Sequence, residues 1–375
     1  MEKKLRFSPT VCITHNCNLN CVYCYQKHDC NSRMSFDTAK KVIDWIFQNV
    51  PSNMEEVEIG LIGGEPLLEY NLIKQMFEYV RQLNPPYPYL FYATTNGTLL
   101  TEEMKAWFTQ NKKHFWLGLS LDGDRDTHNH NRSNSFDKID IDFFRNNWNE
   151  QSIKMTLSDY SLKHLAHNIK FVHSLGFPIS GVNEFEGDFD WDKDEYIKDL
   201  AGQLKELSAF YVENDTLELD QMLKLNLHYC ERKPFERKKW CGIGDGAIFF
   251  DVDGQKYPCP FITPMTFSRE QIFELQKTDY KNADNFIDED CYNNCYIYPI
   301  CRTCAGACYM TNGTFKKRIK SKCRTQKLIA LFSADIQAKR IVKNPESQDK
   351  RTLRPTIDVI KKIREAYLDD FKNFL

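Results

Sequence analysis

Cys17, Cys21 and Cys24 lie within eight consecutive residues near the start of the chain, spaced C-x3-C-x2-C. Three thiolates this close together hold three corners of a cubane iron–sulfur cluster and leave the fourth iron without a protein ligand. Structural zinc normally takes four protein ligands, so a set of three points to a centre that binds something further. An open iron is the place for a small chelating molecule. Gly63-Gly64-Glu65-Pro66 carries a second kind of chemistry. Two glycines let the backbone approach a ligand closely, and a carboxylate accepts a hydrogen bond from an ammonium group. Thr94-Thr95-Asn96-Gly97 and Ser120-Leu121-Asp122-Gly123 present polar side chains beside Asn-Gly and Asp-Gly, pairs that also serve as plain turns. Farther along, eight cysteines fall within 83 positions, from Cys241 to Cys323. Eight thiols suit two four-ligand cubanes, and their paired spacings also suit tetrahedral zinc.

Each of the first motifs follows a candidate strand. The expected strands are Arg6–Thr14, Val57–Ile62, Tyr89–Thr94, Phe115–Ser120, Ile153–Leu157 and Pro178–Asn183. Between them apolar residues recur at helical spacing. Ala39, Val42, Ile43, Ile46 and Phe47 follow an N-cap at Ser35; Leu72, Met76, Phe77 and Val80 form a second stripe, and Leu162, Leu165, Ile169 and Val172 a third. Such alternation implies a parallel sheet with helices outside it. Six units fall short of a closed eight-stranded barrel, so the expected α/β fold is a partial (β/α)6 TIM-like barrel with its site at the strand C-termini. From about Trp240 the helical periodicity fades. Gly254, Pro258, Pro260 and Gly313 punctuate a segment expected to fold around metal rather than a large apolar core. A helical signal returns over 328–342. A polar stretch from Lys343 to Arg354 then leads to a last helix with Ile357, Ile360, Ile363 and Tyr367 on one side.

A chain of 375 residues is long enough for two or three domains, and 42% apolar with 27% charged content is ordinary for a soluble globular protein. The net charge of −2 gives no polybasic footprint, which argues against nucleic acid as the main partner. No apolar run approaches a membrane span, and no signal-peptide core follows Met1, so the expected location is the cytoplasm. Fourteen cysteines in a reducing compartment point to metal, not to a disulfide framework.

With Tyr23 just before its last cysteine, the first motif resembles that of the radical S-adenosylmethionine (radical SAM) superfamily. The resemblance implies that Cys17, Cys21 and Cys24 hold a [4Fe-4S] cluster whose open iron binds S-adenosylmethionine. It also implies that Tyr23 lies beside the adenine, that Gly63, Gly64 and Glu65 hold the methionyl amino group, and that Asn96, Ser120 and Asp122 line the cofactor. The later cysteines read Cys241-x12-Gly254-x4-Cys259, then Cys291-x3-Cys295-x5-Cys301-x2-Cys304-x3-Cys308, then Cys323. This resembles a SPASM domain, the extension of radical SAM peptide-modifying enzymes that binds two auxiliary clusters. The middle block departs from the family pattern: its first gap is three, and Cys304 falls inside the final spacing. The implied ligand sets are Cys241, Cys259, Cys304 and Cys308 for one auxiliary [4Fe-4S] cluster, and Cys291, Cys295, Cys301 and Cys323 for the other. The implied domains are a radical SAM barrel over 1–225, a SPASM domain over 226–326 and a helical tail over 327–375.

The activity implied is reductive cleavage of S-adenosylmethionine to methionine and a 5′-deoxyadenosyl radical, which removes a hydrogen from a peptide or protein substrate. The expected partners are a precursor peptide and an electron donor such as flavodoxin or ferredoxin. About a dozen residues precede the cluster loop, too few for a leader-binding domain, so a separate leader-binding protein or the barrel itself is expected to take that role. Thioether crosslinking of a ribosomally made peptide is the first expectation, and oxidation of a sulfatase cysteine or serine to formylglycine is the second. In the sulfatase maturases an aspartate base follows the second SPASM cysteine; here Pro260 follows Cys259. A zinc-binding interaction module is the alternative from another class. Outside these motifs, His128 and His130 read as part of an exposed polar loop, Cys12 as strand packing, Cys30 and Cys230 as free thiols, and the charges of Glu231–Lys239 as a solvated face. Three cubane clusters correspond to about twelve irons per chain. Replacing Cys17, Cys21 and Cys24 together by Ala should leave about eight. Metal analysis of anaerobically purified protein checks this, and stoichiometric zinc or an unchanged iron content refutes it.

Overall fold

The computed structural model describes residues 5–26, 31–178, 180–184, 190–231, 233–244, 246–345 and 350–374; Cys30, expected to be a free thiol, lies outside them. The chain divides into two compact units, each assembled from separated stretches. The first comprises residues 1–121, 128–151 and 242–281, and the second residues 122–127, 152–241 and 282–375. The described strands are β1 (Arg6–Phe7), β2 (Thr10–Thr14), β3 (Glu56–Gly63), β4 (Tyr89–Thr95), β5 (Phe115–Leu119), β6 (Ile153–Leu157), β7 (Ser180–Glu184), β8 (Phe249–Phe250) and β9 (Lys256–Tyr257).

In the first unit the sheet order is β5-β4-β3-β2-β8-β9, with β1 also pairing with β3. Every pairing is parallel except the β8–β9 hairpin. Val57, Ile59 and Leu61 alternate as fully buried residues along β3, the pattern of a strand with one face in the core. The expected crossover helices form at Phe36–Gln48 and Tyr70–Leu83. Ser35 caps the first, its Oγ accepting from Thr38 N at 3.1 Å. Asn84, at φ 44°, ends the second in the left-handed region that Asn tolerates. Aromatic rings fill the space between helix and sheet: Phe91 stacks on Phe115 at 5.8 Å, and Phe77 lies 5.6 Å from Phe91.

The stretch after Trp240 differs from expectation. Phe249 and Phe250 are buried, and β8 extends the main parallel sheet beside β2. Trp45 packs edge-on against Phe250 at 5.3 Å and lies under the Lys256 ammonium at 4.8 Å. Two consecutive phenylalanines carry no periodicity, but they cover the open edge of β2. His128 and His130 also differ, lying on helix Arg125–Asn131 instead of a loop. His128 is fully buried with its Nε2 3.0 Å from Ser135 Oγ, while His130 is exposed.

In the second unit β6 and β7 pair in parallel. The apolar stripe expected as one helix is broken into Asp159–Leu162 and Leu165–Ser174, because Ser158 and Ser161 cap each other's backbone and close the first turn. Helix Asp194–Glu213, which the strand–helix reading did not separate out, buries Ile197, Leu200, Leu204 and Leu207 and packs against helix Cys323–Lys343. Arg340 of the latter donates to the carbonyls of Tyr211 and Leu217 at 2.8 and 3.0 Å, satisfying the end of its partner helix. The last helix, Lys350–Phe371, begins ahead of Pro355 and so takes in part of the stretch expected to be only polar linker. No described helix is long and apolar enough to cross a membrane. Phe91→Ala, which empties the centre of the aromatic cluster, should cost about 3–5 kcal/mol in chemical denaturation. The half-exposed Leu83→Ala should stay within about 0.5 kcal/mol.

Candidate functional site

The cysteine loop begins where β2 ends. Gly64 N donates to Thr14 O at 3.0 Å and Glu65 N to Asn16 O at 2.8 Å, so the segment after β3 runs against the loop backbone to backbone. A Cβ at Gly64 would overlap the Asn16 carbonyl and one at Gly63 the Thr14 carbonyl. Close approach of main chains is therefore what both glycines are for, whatever else they contact. The far side of the loop is held by Asn20 N donating to Ser133 Oγ and Val22 N to Asn131 O, at 2.9 and 3.0 Å. Tyr23 faces the Arg132 guanidinium at 5.4 Å, and Tyr25 stacks on Phe261 at 5.3 Å.

Glu65 organises the strand ends. It is 1% exposed, and its carboxylate accepts from Leu67 N at 3.0 Å, Thr95 Oγ1 at 2.7 Å and Asn96 N at 2.8 Å. Burial pushes its pKa up, while the Asn96, Thr95 and Leu67 donors and the Arg132 charge pull it back. Of about four lone-pair positions on a carboxylate, three thus face protein donors, which leaves room for one ligand donor. Asn96 is likewise engaged: its Nδ2 donates to Asn18 Oδ1 at 2.9 Å, and its Oδ1 accepts from Thr98 N and Oγ1 at 3.0 and 2.7 Å. The Asn96 side chain thereby ties the end of β4 to the cysteine loop. Ser120 is 6% exposed just past β5, its N–H donating to Thr95 O at 2.9 Å. Asp122 belongs to the second unit, fully buried, and accepts from Thr156 N at 3.0 Å.

Within the loop, Cys17 and Cys21 are half-buried and Cys24 is exposed. Burial raises the Cys17 pKa, with Glu65 and Cys24 adding repulsion. A thiolate here needs a cation, which iron supplies. The donor set fits a cluster with three protein ligands.

Sequence reading missed His15. Its Nε2 lies 2.6 Å from Asp251 Oδ1, with both residues buried, and Cys12 completes a buried trio whose ligand atoms lie within 4.8 Å of one another. His15 and Asp251 stand 236 positions apart, so no local pattern joins them. The pair anchors the start of the cysteine loop to the turn after β8. Cys12 packs in the strand as expected, with its pKa raised chiefly by burial.

The second unit holds the other thiols. Cys291, Cys295, Cys301, Cys304, Cys308 and Cys323 all line one cavity of about 220 Å³. Helix Glu289–Asn294 presents Cys291, with Asp288 accepting from Cys291 N at 3.1 Å and from Arg318 N at 2.9 Å. Cys304 caps helix Ala305–Asn312, which carries Cys308, and Cys323 opens helix Cys323–Lys343. Two cations lean on these thiols. Lys320 Nζ lies 3.2 Å from Cys291 Sγ, and the buried Arg318 guanidinium sits 4.0 Å over the Tyr298 ring. Burial pushes Cys291 up to about 11 and Cys301 up to about 12, against the pull of Lys320 and Arg318 respectively. Six thiols around one cavity fit a metal cluster, and Cys304 and Cys308 line it together with the other four. Cys241 belongs to this second unit and Cys259 to the first. Cys230 is a buried free thiol as expected, raised to about 12 by burial.

Residues 11–141 match the family model of the Radical SAM superfamily. Over 112 residues the chain is 34% identical to the uncharacterized protein MJ0907 of Methanocaldococcus jannaschii, a match that spans 30% of this chain and 37% of that one. It is 25% identical over 333 residues to a cysteine-type anaerobic sulfatase-maturating enzyme of Clostridium novyi, covering 77% of this chain and 84% of the relative. It is 22% identical over 357 residues to the radical SAM cyclopropyl synthase TigE of Paramaledivibacter caminithermalis, covering 84% and 71%. The fold is similar to that of native anSMEcpe with bound AdoMet and Cp18Cys peptide, with TM-score 0.68, 20% identity and coverage of 91% and 99%. It is also similar to Streptococcus suis SuiB bound to precursor peptide SuiA, with TM-score 0.58, 15% identity and coverage of 85% and 76%.

Because Glu65 satisfies three buried donors, Glu65→Ala should destabilise the protein by about 3–5 kcal/mol. Glu65→Gln, which keeps the shape and one acceptor oxygen, should cost clearly less. Thermal denaturation of both variants checks this, and equal melting of Glu65→Ala and wild type would reduce the carboxylate to a bystander.

Proposed function

This chain is a radical SAM enzyme, and we propose that it is a SPASM-type maturase that installs a cysteine thioether in a ribosomally made peptide. Bound at Cys17, Cys21 and Cys24, the cluster and S-adenosylmethionine would supply the radical that removes a substrate hydrogen. In this reading Gly63 and Gly64 admit the methionyl group close to the main chain, Glu65 offers its remaining acceptor position to the ammonium, and Tyr23 flanks the adenine. Asn96, Ser120 and Asp122 act from the strand ends; the Asn96 and Asp122 side chains are committed to protein partners and serve by positioning the backbone. Cys291, Cys295, Cys301 and Cys323 are proposed to hold one auxiliary cluster and Cys241, Cys259, Cys304 and Cys308 the other; Cys304 and Cys308 line the same cavity as the first set. The domain limits near residues 225 and 326 belong to the same proposal, as do an electron donor of the flavodoxin or ferredoxin type and a separate leader-binding protein.

The observation that carries the thioether reading is Pro260. It stands directly after Cys259, where the sulfatase maturases have an aspartate base, and it cannot take a proton. The likeness to SuiB solved with its precursor peptide, and to anSMEcpe solved with a bound peptide, supports a peptide substrate. A second reading, formylglycine formation, has the support of the Clostridium novyi relative, whose match covers 77% of this chain. The products separate the two. Thioether formation removes a hydrogen atom from carbon, and a proton and an electron from the thiol, the electron going to an auxiliary cluster that the later cysteines would hold, so the peptide becomes about two mass units lighter and loses an alkylatable thiol. Formylglycine instead replaces the thiol with an aldehyde that reacts with a hydrazide. Incubation of reduced enzyme with a cysteine-bearing precursor peptide should give the first outcome together with 5′-deoxyadenosine. A hydrazide-reactive product from a sulfatase-type cysteine peptide overturns it.

A further inference from the structure

Within the second unit, two side chains reach the sulfurs of cysteines assigned to one auxiliary cluster. Lys320 Nζ donates to Cys291 Sγ at 3.2 Å. The same ammonium is paired with Asp290 at 3.0 Å and faces Asp288 at 3.9 Å. These carboxylates leave the contact with sulfur in place. An ammonium carries three hydrogens, and Asp290 is 70% exposed, where water weakens its pull. Asp288 already accepts from Cys291 N and Arg318 N at 3.1 and 2.9 Å. The second contact comes from far along the chain. Tyr367, on the last helix, places its hydroxyl 3.6 Å from Cys295 Sγ, 72 positions away. Tyr296 N donates to the same oxygen at 3.1 Å, so the oxygen is the acceptor there and its single hydrogen is left for the sulfur. The Tyr367 ring is buried, with Lys327 Nζ 4.9 Å over its face. Cys17 and Cys304 also accept hydrogen bonds, but from the main-chain N–H groups of Leu19 and Ala307, at 3.5 Å each. Bonds of that kind come with any turn or helix cap, whereas a lysine and a tyrosine aimed at two of four ligands depend on side-chain identity.

Reduction of an iron–sulfur cluster adds negative charge that spreads onto its sulfurs. A hydrogen bond or a positive charge at a ligand sulfur therefore stabilises the reduced form more than the oxidised one. We propose that Lys320 and Tyr367 are redox-tuning residues for the cluster on Cys291, Cys295, Cys301 and Cys323, and that they raise its reduction potential. This rests on the auxiliary-cluster assignment made for the maturase. Lys320 acts by charge and by hydrogen bond, Tyr367 by the hydrogen bond alone, so Lys320 has the larger effect. A raised potential makes this cluster a better acceptor for the electron that thioether formation releases. It also gives the last helix a part in the chemistry, beyond its packing against helix Cys323–Lys343.

The experiment follows cluster reduction in the reconstituted full-length enzyme by electron paramagnetic resonance at a series of fixed potentials. The form with Cys17, Cys21 and Cys24 replaced by Ala, run beside it, shows which reduction steps are auxiliary. Lys320→Met should lower one auxiliary step by about tenfold or more in its reduction equilibrium constant, about 59 mV for one electron. The other auxiliary step should stay in place. Lys320→Arg, which keeps both charge and donor, should restore most of the loss. Tyr367→Phe, which removes one oxygen atom, should lower the same step roughly threefold, towards the low end of what one hydrogen bond contributes. If Lys320→Met takes up less iron, Tyr367→Phe alone decides. With about eight auxiliary irons present, an unmoved step in these variants, or an equal shift of both auxiliary steps, overturns the assignment and leaves the cluster reading intact. If the Ala form holds no iron, the cluster reading itself falls, and the tuning residues with it.

Discussion

The position of the first three cysteines depends on one buried carboxylate. Glu65 accepts from the turn that follows it and from the end of β4, while its own N–H and that of Gly64 hold the backbone of the cysteine loop. In a low-dielectric interior, hydrogen bonds to a charged acceptor are strong and an unpaired donor is costly, so this arrangement has few alternatives. The two preceding glycines follow from it, because the loop can come this close only where no Cβ intervenes. Asn96 and Asn18 then lock the same loop to the next strand end. A site at the C-terminal ends of parallel strands is thus assembled largely from main-chain contacts, with side chains acting as clamps.

The two groups of thiols face the same electrostatic problem. A buried thiolate is penalised by desolvation and by its neighbours, and both effects raise the pKa of Cys17 and of Cys301. In the first unit the loop leaves Cys24 exposed. The second unit instead sets Lys320 against Cys291 and buries Arg318 nearby. Positive charge built into the wall favours the anionic form of these ligands.

Strand–helix alternation, the Ser35 cap and the spacing of Cys17, Cys21 and Cys24 were legible in the sequence because each is a local rule: pleat, helical period or ligand reach acting over a few residues. The two cysteine-rich regions were legible for the same reason. What stayed hidden was long-range. Phe249 and Phe250 look unpatterned until β2 provides an edge for them, and His128 looks like a loop residue until Ser135 meets it in the core. His15 finds Asp251 across 236 positions, and Glu65 finds its donors on another strand. Local spacing determined which residues could do chemistry. Only the tertiary structure decided which of them are already spent on holding the protein together, because a buried polar group takes its partners from whatever the fold brings near, irrespective of distance along the chain.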